Sequence, residues 1–257
     1  MSPQKMLADG DFLIPVLLGS DETFLTNFSG DKNIWPLYVS IGNISSNIRN
    51  KPSKECWRLL ATLPTRPKST VFSVKRKNAT EENPYTSKKY AIAEEQQQAA
   101  EIVQEVLRIV LEPLKRLYEE GIEVVCPDGK VRRGHPKIYG WIADYPEYIK
   151  LFTIANKSCP ICIVPSANLG DHSKMPWDVR NNTELRQQLL KYIQAEKTRD
   201  KLSRDSQTNP ENKKANDSKD KEVKRLLKLL EEWFARQRVK IVDNFLWQLP
   251  GCSPTTL

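Results

Sequence analysis

The chain has 257 residues with 40 Lys and Arg against 32 Asp and Glu, which gives a net charge of +8 and a pI near 9.1. Its hydrophobic content of 39% can form the core of one large domain or two small ones, and no run approaches the ~18 apolar residues of a membrane span. A basic surplus of this size favours a nucleic-acid partner, because Lys and Arg release counterions from phosphates, although a basic surface of mixed sign has the same composition.

The cysteines indicate an intracellular protein rather than a secreted, disulfide-stabilised one. Their number is odd, and the N-terminus has no charged start followed by an apolar run, as a secretory signal would have. We therefore expect reduced thiols or a metal site. The cysteines are Cys56, Cys126, Cys159, Cys162 and Cys252.

Three strand-like segments come first along the chain. Residues 12–19 are apolar almost throughout, as in a strand buried on both faces, and residues 35–44 and 56–63 are rich in β-branched, aromatic and aliphatic side chains. The polar joins between them are short, so the pattern predicts three consecutive antiparallel strands. Residues 65–88 are basic and interrupted by prolines, which predicts a loop or a partly disordered insertion.

A long helix and a further strand follow. Residues 89–119 repeat apolar side chains at spacings of three and four, with Pro113 predicted to kink or split the helix and Gly121 to end it. Residues 122–133 have the pattern of a hairpin around a Pro-Asp-Gly turn. A buried strand over 137–143 then ends at Asp144, and Glu147 lies in the first turn of the next helix. A Glu at this position complements the helix dipole, which we prefer to the alternative of an acid close to a metal.

The remaining chain reads as helices separated by a charged segment. Helical spacing recurs over residues 183–197 and 222–240, whereas residues 199–221 are charged and almost free of apolar side chains, which predicts a flexible linker. The apolar segment near the C-terminus, residues 244–250, has little after it to pack against. This leaves open that the product does not fold stably.

Two acids stand where predicted strands end: Asp21 after the first strand and Asp144 after the strand that follows the long helix. Three antiparallel strands, a helix and a strand ending in an acid is the order of an α/β, RNase H-like domain, in which the first and fourth strands are neighbours. Such acids can share divalent cations for an in-line phosphoryl transfer. Acids at strand ends are also ordinary turn residues, and spacing alone does not decide between the two interpretations.

Four blocks of the sequence resemble Plavaka-type transposases of the CACTA group of cut-and-paste DNA transposases. The blocks occur in the order of that family and are residues Ser20–Ser53, Val125–Leu151, Lys157–Asp171 and Val242–Cys252. The resemblance implies that Asp21 is the first catalytic acid and Asp144 the second, that both bind Mg²⁺ or Mn²⁺, and that the partner is DNA at the element ends. It also implies a nuclear protein that forms a homo-oligomer.

The sequence departs from the family pattern in two respects. Phe24 stands where the family usually has His, and the Asp-x-x-His motif and third acid of the family would lie beyond Leu257. We therefore expect a remnant or fragment of a transposase that is inactive alone. The alternative is a non-enzymatic DNA-binding or interaction protein derived from a transposon, in which the basic C-terminal helix and linker matter more than the acids.

Cys159 and Cys162 form half of a tetrahedral zinc site, or are small packed thiols. The remaining zinc ligands would be Cys126, His172, Cys252 or residues beyond the chain end. A set of basic residues is predicted to flank the two acids and bind DNA phosphates, with a solvated basic face as the alternative. These residues are Arg132, Arg133, Lys137 and Lys150.

The predicted organisation has four parts. They are a partial RNase H-like catalytic core at 11–157, the start of a Cys-x-x-Cys insertion, mostly helical, at 158–198, the flexible charged linker at 199–221 and a helical segment at 222–257.

Overall fold

A computed structural model describes residues 7–25, 33–65, 84–171, 173 and 176–249. Within these ranges the strands form one sheet, and the longer helices follow its fourth and its last strand. The strands are β1 (Phe12–Ser20), β2 (Thr23–Phe24), β3 (Asn33–Ile41), β4 (Arg58–Leu63), β5 (Ile122–Val125) and β6 (Val131–Ile142). The α-helices are α1 (Ser46–Arg49), α2 (Pro84–Glu120), α3 (Tyr145–Leu151), α4 (Asn182–Thr208) and α5 (Lys213–Gln237).

The predicted mixed α/β class is confirmed. Strand pairing runs in the order β4–β3–β1–β6–β5, and short β2 pairs with the start of β3. The β1–β3, β3–β4 and β5–β6 pairs are antiparallel, whereas β1 and β6 are parallel. None of the helices in the described residues combines the length and the apolarity that a membrane span requires.

One face of the sheet is covered by α2, which connects β4 to the β5–β6 hairpin. Alternate residues of the strands point to this face and are buried, as the two-residue period of a strand requires. On α2, Val103, Leu107 and Leu111 meet them at helical spacing. The buried strand residues are Val16, Leu18, Trp35, Leu37, Leu63, Ile138 and Trp141.

Pro113 does not interrupt α2, which continues from Pro84 to Glu120. Pro113 lies on the exposed side of the helix, as does Ile109, whose carbonyl loses its helical hydrogen bond and faces water instead. Gly121 ends the helix, as predicted, with a φ of +74° that residues with a Cβ rarely adopt. Of the predicted loop 65–88, residues 66–83 lie outside the described residues and residues 84–88 belong to α2.

The segment predicted to be a flexible linker, residues 199–221, is largely helical. It comprises the end of α4, a short turn and the first turns of α5, and the two helices pack side by side. Asn216 is buried in this hairpin and donates to Ser206 Oγ at 3.2 Å. The segment is polar because most of its surface faces water, while its Lys, Glu and Arg residues have good helix propensity.

The apolar C-terminal segment is buried rather than left uncovered. Phe245, Leu246, Trp247 and Leu249 pack in the same core as the sheet, between α2 and α4. Gln104 on α2 fixes them, because its side chain donates to Leu151 O at 2.8 Å and accepts from Phe245 N at 3.0 Å. The expectation that this segment lacks a partner is therefore wrong.

Candidate functional site

Asp21 and Asp144 follow neighbouring parallel strands at equivalent positions. Gly19 of β1 pairs with Ile142 of β6, and each acid comes two residues later. Neighbouring strands lie about 4.8 Å apart, so the parallel pairing brings the two strand ends together. Both acids are exposed. The structure thus brings together the two acids predicted from the sequence.

The side chain of each acid has a local contact. Asp21 Oδ2 accepts a hydrogen bond from Thr23 Oγ1 at 3.2 Å. Asp144 is the N-cap of α3, and its Oδ1 accepts from the backbone N–H of Glu147 at 2.9 Å. Each carboxylate retains further acceptor positions, since an ionised carboxylate has about four.

Glu147 is buried beneath the two acids and connects α3 to the end of β1. Its Oε2 accepts from Ser20 Oγ at 2.5 Å and its Oε1 from the backbone N–H of Glu22 at 2.5 Å. Ser20 Oγ in turn accepts from Trp141 Nε1 on β6 at 3.0 Å. Sequence analysis identified Glu147 as a first-turn residue that complements the helix dipole, and the contact across to β1 was not predicted.

Glu22, next to Asp21, forms an ion pair with Lys150 of α3 and accepts from Asn33 Nδ2 at 3.0 Å. Burial favours the neutral carboxyl, but the hydrogen bonds and charge of Lys150 and the Asn33 amide outweigh it and lower the pKa of Glu22. The Lys150 ammonium also lies 5.3 Å from the centre of the Trp35 ring. This ion pair is a second connection between α3 and the end of β1.

The two exposed carboxylates suit a hard divalent cation such as Mg²⁺ or Mn²⁺, which prefers oxygen ligands. Neither acid forms an ion pair with Lys or Arg in the part of the chain that the structure describes. In the same residues, no group of three or more His, Cys, Asp or Glu side chains is close enough to hold a metal ion. Among the described residues, the acids at this end of the sheet therefore do not form a cluster of three ligands.

Of the four basic residues predicted to flank the acids, only Lys150 does so. Arg132 and Arg133 lie at the opposite end of β6, roughly 30 Å from the end of the strand at Ile142 at about 3.3 Å per residue. Arg132 is also paired with Asp128 in the β5–β6 turn, at 2.6 and 2.9 Å. Lys137 lies in the middle of β6, with its ammonium 5.8 Å from the Tyr118 ring. The predicted position of these three residues beside the acids is wrong.

Cys159 and Cys162 are adjacent in a loop after α3. Cys159 Sγ accepts from the backbone N–H groups of Ile161 and Cys162, at 3.4 and 3.5 Å. Cys126 does not join them, since no third candidate ligand is found among the described residues. His172 and Cys252, the other proposed ligands, lie outside those residues.

The two thiols differ in acidity. Burial raises the pKa of both, but at Cys159 the N–H groups of Cys162 and Ile161, the Cys162 thiol and the Arg180 charge outweigh burial and lower the pKa. At Cys162, burial and the neighbouring Cys159 raise the pKa. Arg180 is itself buried, with Nε donating to Cys159 O at 3.1 Å and Nη1 donating to Gln237 O. It therefore attaches the cysteine loop to the end of α5.

Paired acids at the ends of parallel strands, in a sheet covered by a long helix, are compatible with a DNA-processing protein of the transposase class. The sequence model of the Plavaka transposase family matches residues 1–254, and the chain belongs to this family. The resemblance noted from the sequence is thereby confirmed. A search of curated proteins and of solved structures finds no match to this chain.

Sequence reasoning missed the residues that hold the two acids in place. Ser20 and Trp141 appear in the sequence only as a strand-end serine and one of several aromatic residues. Their contact depends on β1 and β6 being parallel neighbours with Gly19 opposite Ile142. The signal that was present is the apolar Leu151, four residues after Glu147 on the same face of α3 and buried like it.

Proposed function

We propose that the chain is part of the catalytic core of a DNA transposase of the CACTA group, with an RNase H-like fold. Asp21 and Asp144 hold Mg²⁺ or Mn²⁺ there, and the partner is DNA at the element ends. The single observation that supports this most is the in-register ending of β1 and β6 in two exposed acids, in a chain of the Plavaka family. The strand sequence β1, β3, β4, then α2 and β6, is the order that an RNase H-like core would have.

The two acids and Lys150 have different roles at this site. Divalent cations bound there would activate the attacking oxygen and stabilise charge on the leaving oxygen of an in-line phosphoryl transfer. Asp21 and Asp144 supply oxygen ligands from two separate strands. Lys150, held between Glu22 and Trp35, provides a positive charge beside the site that can orient a DNA phosphate.

We further propose that residues 1–257 are inactive by themselves, because the family resemblance assigns two catalytic acids to them. Two carboxylates bind a divalent cation weakly and position the nucleophile poorly. Nicking of supercoiled plasmid in Mn²⁺ should therefore stay at background. Metal-dependent nicking that disappears in Asp21→Asn would overturn the inactivity and support the catalytic assignment. Nuclear location and self-association belong to the same proposal.

Mn²⁺ binding, measured by calorimetry, tests the metal site directly. Asp21→Asn and Asp144→Asn should each weaken Mn²⁺ binding by about tenfold or more, because each removes a charged oxygen ligand. Asp128→Asn is the matched control, since Asp128 is an exposed acid at the far end of β6 that is paired with Arg132. Equal Mn²⁺ binding by the wild type, Asp21→Asn and Asp144→Asn contradicts the proposal.

A second candidate function, DNA or partner binding without catalysis, is favoured by α5. This helix carries eight basic and five acidic residues. Lys221, Arg225 and Lys228 are exposed along it. Such a helix can follow a DNA backbone by charge alone.

Anisotropy with a short labelled duplex at about 50 and about 200 mM salt separates the two functions. The function without catalysis is favoured if DNA binding weakens with salt and is lost when Lys221, Arg225 and Lys228 are all replaced by Gln. The double variant Asp21→Asn, Asp144→Asn should then still bind DNA. Binding that is unchanged by the α5 substitutions argues against this function. An absence of salt-dependent binding contradicts DNA as the partner of either function.

We propose that Cys159 and Cys162 supply two of the ligands of a zinc ion. The paired N–H groups directed at Cys159 Sγ stabilise a thiolate, which is the form that binds zinc. Metal analysis of purified protein should find zinc that is lost in Cys159→Ser. In metal-free protein near neutral pH, iodoacetamide should modify Cys159 faster than Cys162, because the pKa of Cys159 is lowered and that of Cys162 is raised. Equal modification rates contradict the thiolate assignment.

A further inference from the structure

Asp21 lies between two residues that are both held by one buried carboxylate. Ser20 donates its hydroxyl to Glu147 Oε2, and Glu22 donates its backbone N–H to Glu147 Oε1, each at 2.5 Å. The Glu147 side chain has only 2% of its surface exposed. The backbone of Asp21 is thus fixed on both sides from α3.

The same carboxylate is connected to Asp144. Asp144 Oδ1 accepts the backbone N–H of Glu147, so the helix that carries Glu147 begins at the second acid. Trp141, three residues before Asp144, donates to Ser20 Oγ at 3.0 Å and closes the connection through β6. The contacts form a continuous path from Asp144 through Glu147 and Ser20 to Asp21.

Burial of the Glu147 side chain costs free energy, because a charged or polar group is removed from water. Packing of α3 on the sheet does not require such a group. An apolar side chain would anchor α3 on the sheet without removing a charged or polar group from water. Glu147 Oε2 accepts from the Ser20 side chain and Oε1 from the Glu22 backbone, so each oxygen contacts one of the two residues beside Asp21. The geometry suits an orienting role and does not suit a third cation ligand.

We propose that Glu147 is a positioning residue, which holds the backbone of Asp21 in register with Asp144 so that the two carboxylates face one cation. This inference rests on the proposed function, because it assigns both acids to a shared metal. The Ser20 hydroxyl connects Glu147 to β1 by its hydrogen bond to Oε2. Trp141 orients that hydroxyl by donating a hydrogen bond to it. The arrangement corresponds to the outer-shell hydrogen bonds that orient metal ligands in other proteins.

The test is Mn²⁺ affinity of the full chain, measured by calorimetry well below the unfolding temperature, in Glu147→Ala and Glu147→Gln. Glu147→Ala should weaken Mn²⁺ binding by about tenfold or more, and Glu147→Gln by less, since Gln retains one oxygen for the Glu22 N–H. Gln104→Ala is the matched control, because Gln104 is equally buried and also makes two hydrogen bonds, but to Leu151 and Phe245. It should lose stability and keep its Mn²⁺ affinity.

A second readout follows the residues beside Asp21 in metal-free protein. Hydrogen exchange of the Glu22 amide should be faster in Glu147→Ala than in Gln104→Ala, because only the first variant loses the acceptor of that amide. Ser20→Ala is the milder variant if Glu147→Ala does not fold, and it should weaken Mn²⁺ binding in the same direction. In an Asp21→Asn background, Glu147→Ala should cause no further loss of affinity.

The outcomes separate the inference from the proposed function. If Asp21→Asn abolishes Mn²⁺ binding while Glu147→Ala and Ser20→Ala bind like the wild type, the positioning role is overturned and the metal site stands. If Gln104→Ala lowers the affinity as much as Glu147→Ala does, the effect is one of general stability and the inference is overturned. If the wild type binds no Mn²⁺, the proposed function fails and the inference fails with it.

Discussion

The two ends of the β1–β6 strand pair both carry acids, but in opposite surroundings. At the start of the strands, Asp11 Oδ2 lies 3.0 Å from His135 Nε2, and His135 Nδ1 lies 2.9 Å from Tyr118 O. The His135 ring is almost fully buried. At the other end, Asp21 and Asp144 are exposed. Acids thus lie at both ends of the strand pair. The two ends differ because only Asp11 has a His side chain next to it.

His135 has a partner at each ring nitrogen. A carbonyl oxygen can only accept, so Nδ1 is the donor in the contact with Tyr118 O, and Nε2 faces the Asp11 carboxyl. The opposite end has two negative charges without such a base, which is the arrangement that a cation stabilises. The comparison teaches that a missing basic partner, more than the strand-end position, marks the candidate site.

The largest expected effect on stability comes from the His135 end. His135→Ala should lower the free energy of unfolding by about 2–4 kcal/mol, because it removes a nearly buried ring and both of its hydrogen bonds. Asp21→Asn should change it by less than about 0.5 kcal/mol, since Asp21 is exposed. Urea denaturation measures both. Asp21→Asn being as destabilising as His135→Ala would break the distinction between the two ends.

A smaller effect is expected from the network beneath the acids. Trp141→Phe keeps the ring in the core but removes the donor to Ser20 Oγ, and should lower the free energy of unfolding by about 1 kcal/mol. Trp35→Phe is the matched control, because the buried Trp35 Nε1 has no hydrogen-bond partner among the described residues. It should lose about 1 kcal/mol less than Trp141→Phe, because both variants leave a gap in the core but only Trp141→Phe loses a hydrogen bond. Equal losses in the two variants, by urea denaturation, would show that the Ser20 contact contributes nothing.

The Glu22–Lys150 ion pair should add a modest acid sensitivity to the same end. Because the pKa of Glu22 is lowered in the folded protein, its contribution is present above its unfolded pKa of about 4.5 and is lost as pH falls through the lower folded pKa. The size should be about 1 kcal/mol or less. Comparison of the wild type with Glu22→Gln between about pH 6 and pH 3 measures it. Parallel curves for the two proteins would contradict the assignment.

The smallest effect is expected for Asp128, an exposed acid at the His135 end. The hydrogen bond from Arg132, with the backbone N–H of Lys130, lowers the pKa of Asp128 to about 2. Its contribution is therefore present above the ordinary Asp pKa and lost only as pH falls towards about 2. Because Asp128 is exposed and solvent screens its ion pair with Arg132, this contribution is small, and Asp128→Asn at neutral pH should leave the unfolding temperature unchanged within error by calorimetry. A measurable change in the unfolding temperature would mean that the exposure of an acidic side chain does not predict whether it contributes to stability.

The sequence predicts the elements that carry the acids, because their signals are local. The apolar run before Asp21 and the strand before Asp144 are recognisable from composition, and Gly121 marks the end of α2. The neighbourhood of the two acids, by contrast, depends on pairing between distant strands. It was anticipated only through the order of elements and the family resemblance.

The errors also have local causes. The sequence pattern predicts a hairpin over 122–133 and a separate strand over 137–143, whereas β6 continues without a break from Val131 to Ile142. The strand tolerates Pro136 because β5 stops pairing with β6 at Gly134, which leaves β6 with one partner there. Residues 199–221 were predicted to be a flexible linker because they lack the apolar stripe of a core helix. They are helical because α4 and α5 pack against each other in a hairpin. Composition alone does not show such a partner.

The parallel pairing of β1 with β6 also has a consequence for the order of folding. Ser20 and Glu147 are 127 positions apart in the chain, so their contact closes a long loop. Non-local pairing of this kind slows folding, and a ribosome adding about 5–20 residues per second needs roughly 6–25 s to synthesise the intervening chain. During synthesis the edge of β1 that pairs with β6 therefore stays unpaired until β6 has been made. The candidate site is therefore among the last parts of the sheet to form.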